Sequence, residues 1–108
     1  MTIAILYRWR VDPAKARQFE QAWADGTRLI HKVCGSYGAR LHRGKDDLYW
    51  SYALWPDQKT RRRCFEEEGV IKHGSFMRMQ DAVAEHFDEV VLEPCVDLLD
   101  PMTEDCND

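Results

Sequence analysis

A chain of 108 residues has room for one domain, and 44% hydrophobic against 31% charged residues is the mix of an ordinary globular protein. No apolar run nears the roughly 20 residues that a membrane span needs. The formal charge of −4 gathers at the end, where Asp97, Asp100, Glu104, Asp105 and Asp108 stand without a Lys or Arg. The near-neutral body then excludes a broad basic field for nucleic acid or an anionic membrane surface.

Met1-Thr2-Ile3 opens directly into a strand, with no basic and apolar leader before it, so no signal peptide is expected and the cytoplasm is the default location. The four cysteines, Cys34, Cys64, Cys95 and Cys106, form no C-x-x-C pair. Free, mostly buried thiols are expected, and neither a zinc site nor a redox motif.

Ile3, Ile5, Tyr7, Trp9 and Val11 alternate with a strand's period of two, leaving Ala4, Leu6, Arg8 and Arg10 on the other face. Asp12 is an N-cap and Pro13 a first helical residue, where its missing N–H costs nothing. The helix that follows carries Ala16, Phe19, Ala22, Trp23, Gly26, Leu29, Ile30 and Val33 as a stripe wide enough to cover a sheet. Gly26 costs roughly 1 kcal/mol relative to Ala. It reads as close helix packing or tolerance, or as room for a ligand. Gly35 ends the helix.

Ser36–Arg43 and Leu48–Trp55 read as strands around the turn Gly44-Lys45-Asp46-Asp47. A turn of two or four residues puts Tyr37, Ala39 and Leu41 on one face with Leu54, Tyr52 and Trp50. Gly38, Arg40 and His42 then share the other with Ala53, Ser51 and Tyr49. A three-residue loop with a bulge would disturb this assignment. Trp55, beside Pro56, reads as packing at the strand end.

Asp57 caps a helix over about residues 58–68, whose Arg61-Arg62-Arg63 and Glu66-Glu67-Glu68 read as a solvated face. Gly74-Ser75 opens another with Phe76, Met79, Val83 and Phe87 buried and His86 on its surface. Residues 88–99 form the last strand, where Pro94 implies an edge or a bulge. The acidic stretch 100–108 is expected to be a disordered tail.

The order is β-α-β-β-α-α-β: an α+β, ferredoxin-like split βαβ with an antiparallel sheet and its second helix broken in two, one domain over residues 3–99. Helices cover one face of such a sheet. The other carries Leu6, Arg8, Arg10, Arg40, His42, Tyr49, Ser51, Val91, Glu93, Cys95 and Leu99, too mixed to face water alone, so a face-to-face homodimer is expected with His42 near its contact.

No nucleophile elbow, phosphate loop, dinucleotide fingerprint or H-E-x-x-H is present. His31 and Cys34 stand three apart on a helix end, too few ligands for a metal. What remains is aromatic: Tyr7, Trp9, Trp50 and Tyr52 on the sheet and Trp23 from the first helix, with His73, Phe76 and Cys64 approaching from the broken helical region. The set is either a packed core or the lining of a pocket for an aromatic ligand. The pocket reading requires Tyr7 and Trp50 on one side of the sheet.

The run Ile3-Ala-Ile-Leu-Tyr-Arg-Trp-Arg-Val-Asp-Pro-Ala-Lys-Ala-Arg-Gln-Phe-Glu, with Tyr49-Trp-Ser-Tyr-Ala-Leu-Trp-Pro-Asp later, resembles the antibiotic biosynthesis monooxygenase-like family over residues 3–99. The resemblance implies a dimeric α/β barrel and, among its members' activities, cofactor-independent oxygenation of polyketide or quinol substrates. His73 would then be base or anion partner, and Tyr7 and Tyr52 would orient the substrate oxygen. Trp9, Trp23, Trp50 and Phe76, with Cys64 nearby, would hold its rings, without metal or cofactor. The haem-degrading branch fits less well. Its strand Asn is Tyr7 here, its helix Trp is Cys64, and its axial His alone falls near His73. A non-catalytic binder of an aromatic or isoprenoid metabolite and a solidly packed accessory dimer are the other readings.

Overall fold

The computed structural model describes residues 2–99, so the tail expected at 100–108 lies outside the described residues. Its organising element is β1 (Ile3–Val11), which pairs antiparallel with strands on both edges. Asp12 ends it and accepts a hydrogen bond from the Ala14 N–H at 2.9 Å, which starts a 3₁₀ turn at Pro13 leading into α1 (Ala16–Cys34). Gly35 closes α1 at φ 73°, in the left-handed region where a side chain would be strained.

β2 (Gly38–Arg43) and β3 (Leu48–Trp55) form the expected hairpin, but with a different count. The Gly44 N–H donates to the Leu48 carbonyl at 2.7 Å, which leaves a three-residue loop, Lys45 to Asp47, with Asp46 and Asp47 at φ 57° and 60°. The odd count pairs Ala39 with Ala53 and Leu41 with Ser51. β1 agrees, placing Tyr7 opposite Ser51 and Trp9 opposite Tyr49. Tyr49, Ser51, Ala53 and Trp55 are therefore the buried residues of β3. The expected inward pair Trp50 and Tyr52 lies on the reverse face, since a slip of one residue exchanges every side chain between faces. Tyr37 precedes β2 and is exposed.

α2 (Gln58–Glu67) starts at Asp57, which accepts from the Thr60 N–H at 2.7 Å. A 3₁₀ turn at Val70–Lys72 leads to α3 (Gly74–Ala82). The expected continuation of α3 to Phe87 does not occur. The Ala82 carbonyl is taken by the Asp12 N–H at 2.9 Å, and the β-branched Val83 begins β4 (Val83–His86) on the free edge of β1. β5 (Val90–Leu92) continues along the same edge. Between the pairs Trp9–His86 and Leu6–Val90, three residues, Phe87 to Glu89, face two on β1, which is a bulge. The last strand is thus two short pieces, 83–86 and 90–92, in place of one over 88–99.

The sheet order β2-β3-β1-β4, with β5 also on β1, is antiparallel throughout and carries its helices on one face: the α+β, ferredoxin-like arrangement expected from the element order. Two core clusters form beneath the helices. One gathers Trp9, Val11, Phe19, Tyr49 and Met79; the other gathers Ile3, Ile5, Ala53, Trp55, Cys64 and Val70. Phe19 is wholly buried, its ring 5.3 Å from Trp9 and 5.0 Å from Tyr49. Burying such a ring is worth about 1.5–3 kcal/mol. The expectation of free thiols fails for two of the four cysteines: Cys34 at the end of α1 and Cys64 in α2 form a disulfide, with Cα atoms 5.4 Å apart. Cys95 is free and exposed, and Cys106 lies outside the described residues. Among the described residues no helix is long and apolar enough to cross a membrane.

Candidate functional site

The two core clusters do not meet. Tyr7 and Phe76 pack against both, and between them lies a cavity of about 480 Å³ under α1 and α3. Its origin is in the sequence of small residues that face it. Gly38 and Ala39 on β2, Ser51 and Ala53 on β3, and Ala22 and Gly26 on α1 all line it. Where larger side chains would interlock, these leave space, and Tyr7, Trp9, Trp23 and Phe76 supply its aromatic wall. Tyr7 and Trp9, two apart on one strand face, stack 5.5 Å apart at 8°. Gly26 serves both readings made of it. It lines the cavity, and a Cβ there would touch Ser75 Oγ at 3.4 Å and Phe76 at 3.5 Å, so the helices also approach closely.

Of the residues singled out from sequence, Tyr7, Trp9, Trp23 and Phe76 come together here. Trp50 and Tyr52 do not. They lie across the sheet, where the Arg8 guanidinium sits 5.5 Å from the Trp50 ring and 4.9 Å from the Phe87 ring. The pocket as drawn from sequence, with Tyr7 and Trp50 on one side, is therefore overturned; the cavity has Ser51 and Ala53 in the places given to Trp50 and Tyr52. Cys64 is tied into the disulfide and lies outside the lining. His73 is exposed and outside it too. Its Nδ1 accepts from the Ser75 N–H at 3.1 Å and sits 2.8 Å from Ser75 Oγ, so it caps α3. His86, expected on a helix surface, stands instead on β4 at the cavity rim beside Phe87, Asp88 and Glu89.

Arg61, read as part of a solvated face, was missed. Its side chain is 11% exposed, and Nη2 donates to the Tyr7 hydroxyl at 3.0 Å and pairs with Glu89 from the bulge. Nη1 donates to Gln58 Oε1 at 3.2 Å. Burial pushes the Tyr7 phenol above its ordinary 10.0, and the Arg61 charge partly opposes this. Tyr7 therefore keeps its proton at neutral pH. Its oxygen lone pair is engaged by Arg61, which leaves the O–H as a donor for a group in the cavity. Among the described residues no three His, Cys, Asp or Glu side chains group to hold a metal ion.

At the level of sequence, neither a protein-family model nor a curated protein matches this chain. Solved structures do. SnoaB, a cofactor-independent oxygenase from Streptomyces nogalater, superposes with a TM-score of 0.75 at 19% identity, over 92% of this chain and 98% of that one. A candidate antibiotic biosynthesis monooxygenase from Caulobacter crescentus gives 0.70 at 20% identity, over 89% and 91%. Another, from Chloroflexus aurantiacus, gives 0.72 at 10% identity, over 90% and 96%. The chain has the fold of the antibiotic biosynthesis monooxygenase-like proteins. At these identities the likeness is one of backbone, and the side chains of the cavity are this chain's own.

Proposed function

We propose that this chain is a monooxygenase of the antibiotic biosynthesis type that oxidises an aromatic, quinol- or anthrone-like substrate without a cofactor. The observation that carries the reading is the cavity of about 480 Å³ between sheet and helices, walled by Tyr7, Trp9, Trp23 and Phe76. That volume suits a fused-ring compound, and the aromatic walls suit its faces. With an anthrone-like substrate the activated CH₂ and O₂ become a C=O and water, so the substrate supplies all the electrons. The protein's work is to desolvate the substrate, take its proton and hold the resulting oxyanion. Tyr7 donates to that oxygen. The base role passes from His73 to His86, the imidazole on the cavity rim.

The functional unit on this reading is a homodimer. Val90, Val91, Leu92, Val96, Leu98 and Leu99 are exposed on and beyond the last strand, and Leu6, Trp50 and Tyr52 are half-exposed on the uncovered sheet face. A second copy is the partner that would cover them. Sedimentation showing a monomer at every concentration removes the dimer. The cytoplasmic assignment belongs to the same reading, and the Cys34–Cys64 bridge weighs against it, since disulfides persist mainly in oxidising compartments. Oxygen consumption with dithranol in metal- and flavin-free buffer tests the activity. Uptake that falls in Tyr7→Phe and His86→Ala supports it. No uptake, with dithranol bound in the cavity, leaves the non-catalytic binder.

A further inference from the structure

A second cavity of about 370 Å³ adjoins the first, and the two share Tyr7, Phe65, Ile71 and Glu89 in their walls. The second is different in kind: Gln58, Arg61, Arg62 and Glu66 line it beside the shared residues. Arg62 and Glu66, four apart on α2, carry opposite charges that sum to zero. That leaves Arg61 and Glu89 as the charged pair at the junction. The Arg61 guanidinium is held within 5.9 Å of the Tyr7 ring and 5.6 Å of the Phe65 ring. It is therefore a fixed, planar fork. One prong is unused: its Nε is buried and has no hydrogen-bond partner. A buried charged donor left unpaired is unfavourable. The carboxylate now on Nη2, that of Glu89, comes from the bulge and is 42% exposed, so it can swing into solvent.

The geometry points to Arg61 as the anchor for an acidic group on the ligand: the site takes an aromatic compound bearing a carboxylate, rings between Tyr7 and Phe76, acid against Arg61. The ligand's carboxylate replaces that of Glu89 and, being bidentate, engages the idle Nε as well. Glu89 is then a resident stand-in that keeps the cation neutralised while the site is empty. This inference rests on the aromatic-ligand reading above and adds the charge of the ligand to it.

Binding separates the two. Quenching of Trp9 and Trp23 fluorescence is titrated with anthraquinone-2-carboxylate and with its uncharged amide. The acid is expected to bind at least 10-fold more tightly. In Arg61→Gln that preference falls below 2-fold, while the amide binds as before. In Glu89→Gln the acid binds more tightly than in the unmodified protein, a gain that loss of structure cannot imitate. Arg62→Gln retains the preference. Equal affinity for acid and amide, or a preference that survives in Arg61→Gln, overturns the inference while leaving the aromatic-ligand reading intact. Failure of both compounds to bind defeats that reading as well. Should Arg61→Gln not fold, the sign of the Glu89→Gln effect decides alone: weaker acid binding there overturns it.

Discussion

The Tyr7 hydroxyl on β1 and the Arg61 guanidinium on α2 meet at 3.0 Å, although 54 positions separate them. This one contact joins the sheet to the second helix at the boundary of the two cavities. It also settles what each group can offer: Arg61 fills an acceptor site of the phenol, and the phenol's proton is left for a third party. Tyr7→Phe keeps the ring and its stacking on Trp9 while deleting the donor. On the proposed reaction it lowers kcat by about 10²-fold, the scale of removing one oxyanion donor, with little change in binding of a neutral aromatic. Steady-state oxygen uptake beside fluorescence binding checks the split.

Tyr7 also makes stability depend on pH. Its folded pKa lies above the unfolded 10.0, chiefly through burial. The native state thus binds the proton more tightly, and the stabilisation present below pH 10 is lost as pH rises through the folded value. Denaturant titrations below and above pH 10 are expected to show a smaller alkaline loss in Tyr7→Phe than in the unmodified chain. Tyr49, raised by burial and by Glu20, keeps its own share in both.

Reduction of Cys34–Cys64 removes a cross-link between residues 30 apart in sequence. A bridge over such a loop stabilises by about 2–4 kcal/mol. Thermal unfolding with and without reductant, and of Cys34→Ser, is expected to shift downward by the corresponding amount. Because Cys64 sits one turn after Arg61 on α2, the preference for an acidic ligand is expected to weaken along with it.

Gly26→Ala introduces a methyl group that reaches Ser75 Oγ at 3.4 Å and Phe76 at 3.5 Å, ordinary contact distances. With no clash to offset it, the gain in helix propensity raises stability by up to about 1 kcal/mol. A bulky residue such as Leu fills the cavity instead, and binding of fused-ring aromatics is lost. Urea denaturation of the first variant and fluorescence titration of the second measure the two effects.

Asp47→Gly relieves a residue held at φ 60°. The expected gain is about 0.5–1 kcal/mol. Its measurement tests the turn conformation, because a gain is expected only where Asp47 is held in the left-handed region.

That turn marks where sequence reading stopped working. β1, α1 and their junction were legible because period-two alternation, Asp12-Pro13 and Gly35 each state a local preference that the fold keeps. The hairpin's existence was legible for the same reason. Its parity was not, since Gly44-Lys45-Asp46-Asp47 is compatible with several loop lengths, and one residue decides whether Ser51 or Tyr52 faces the helices. His73 misled through its chemistry: an imidazole nitrogen can accept from a helix N-terminus as a serine oxygen does, although capping rules favour Ser, Thr, Asp and Asn. Arg61 was hidden in a run of three arginines, and nothing local distinguishes the one that turns inward beneath Tyr7. The space of the cavity was hidden as well, being left by small residues, Ala39, Ser51 and Ala53, that carry no aromatic signal.

The Cys34–Cys64 bond encloses the β2–β3 hairpin in a covalent ring, with the exposed residues 45–47 at its outer edge. Cleavage of the backbone at that tip opens the ring without freeing a fragment. A nicked chain therefore migrates as one species on a non-reducing gel and as two once the sulfur bond is broken.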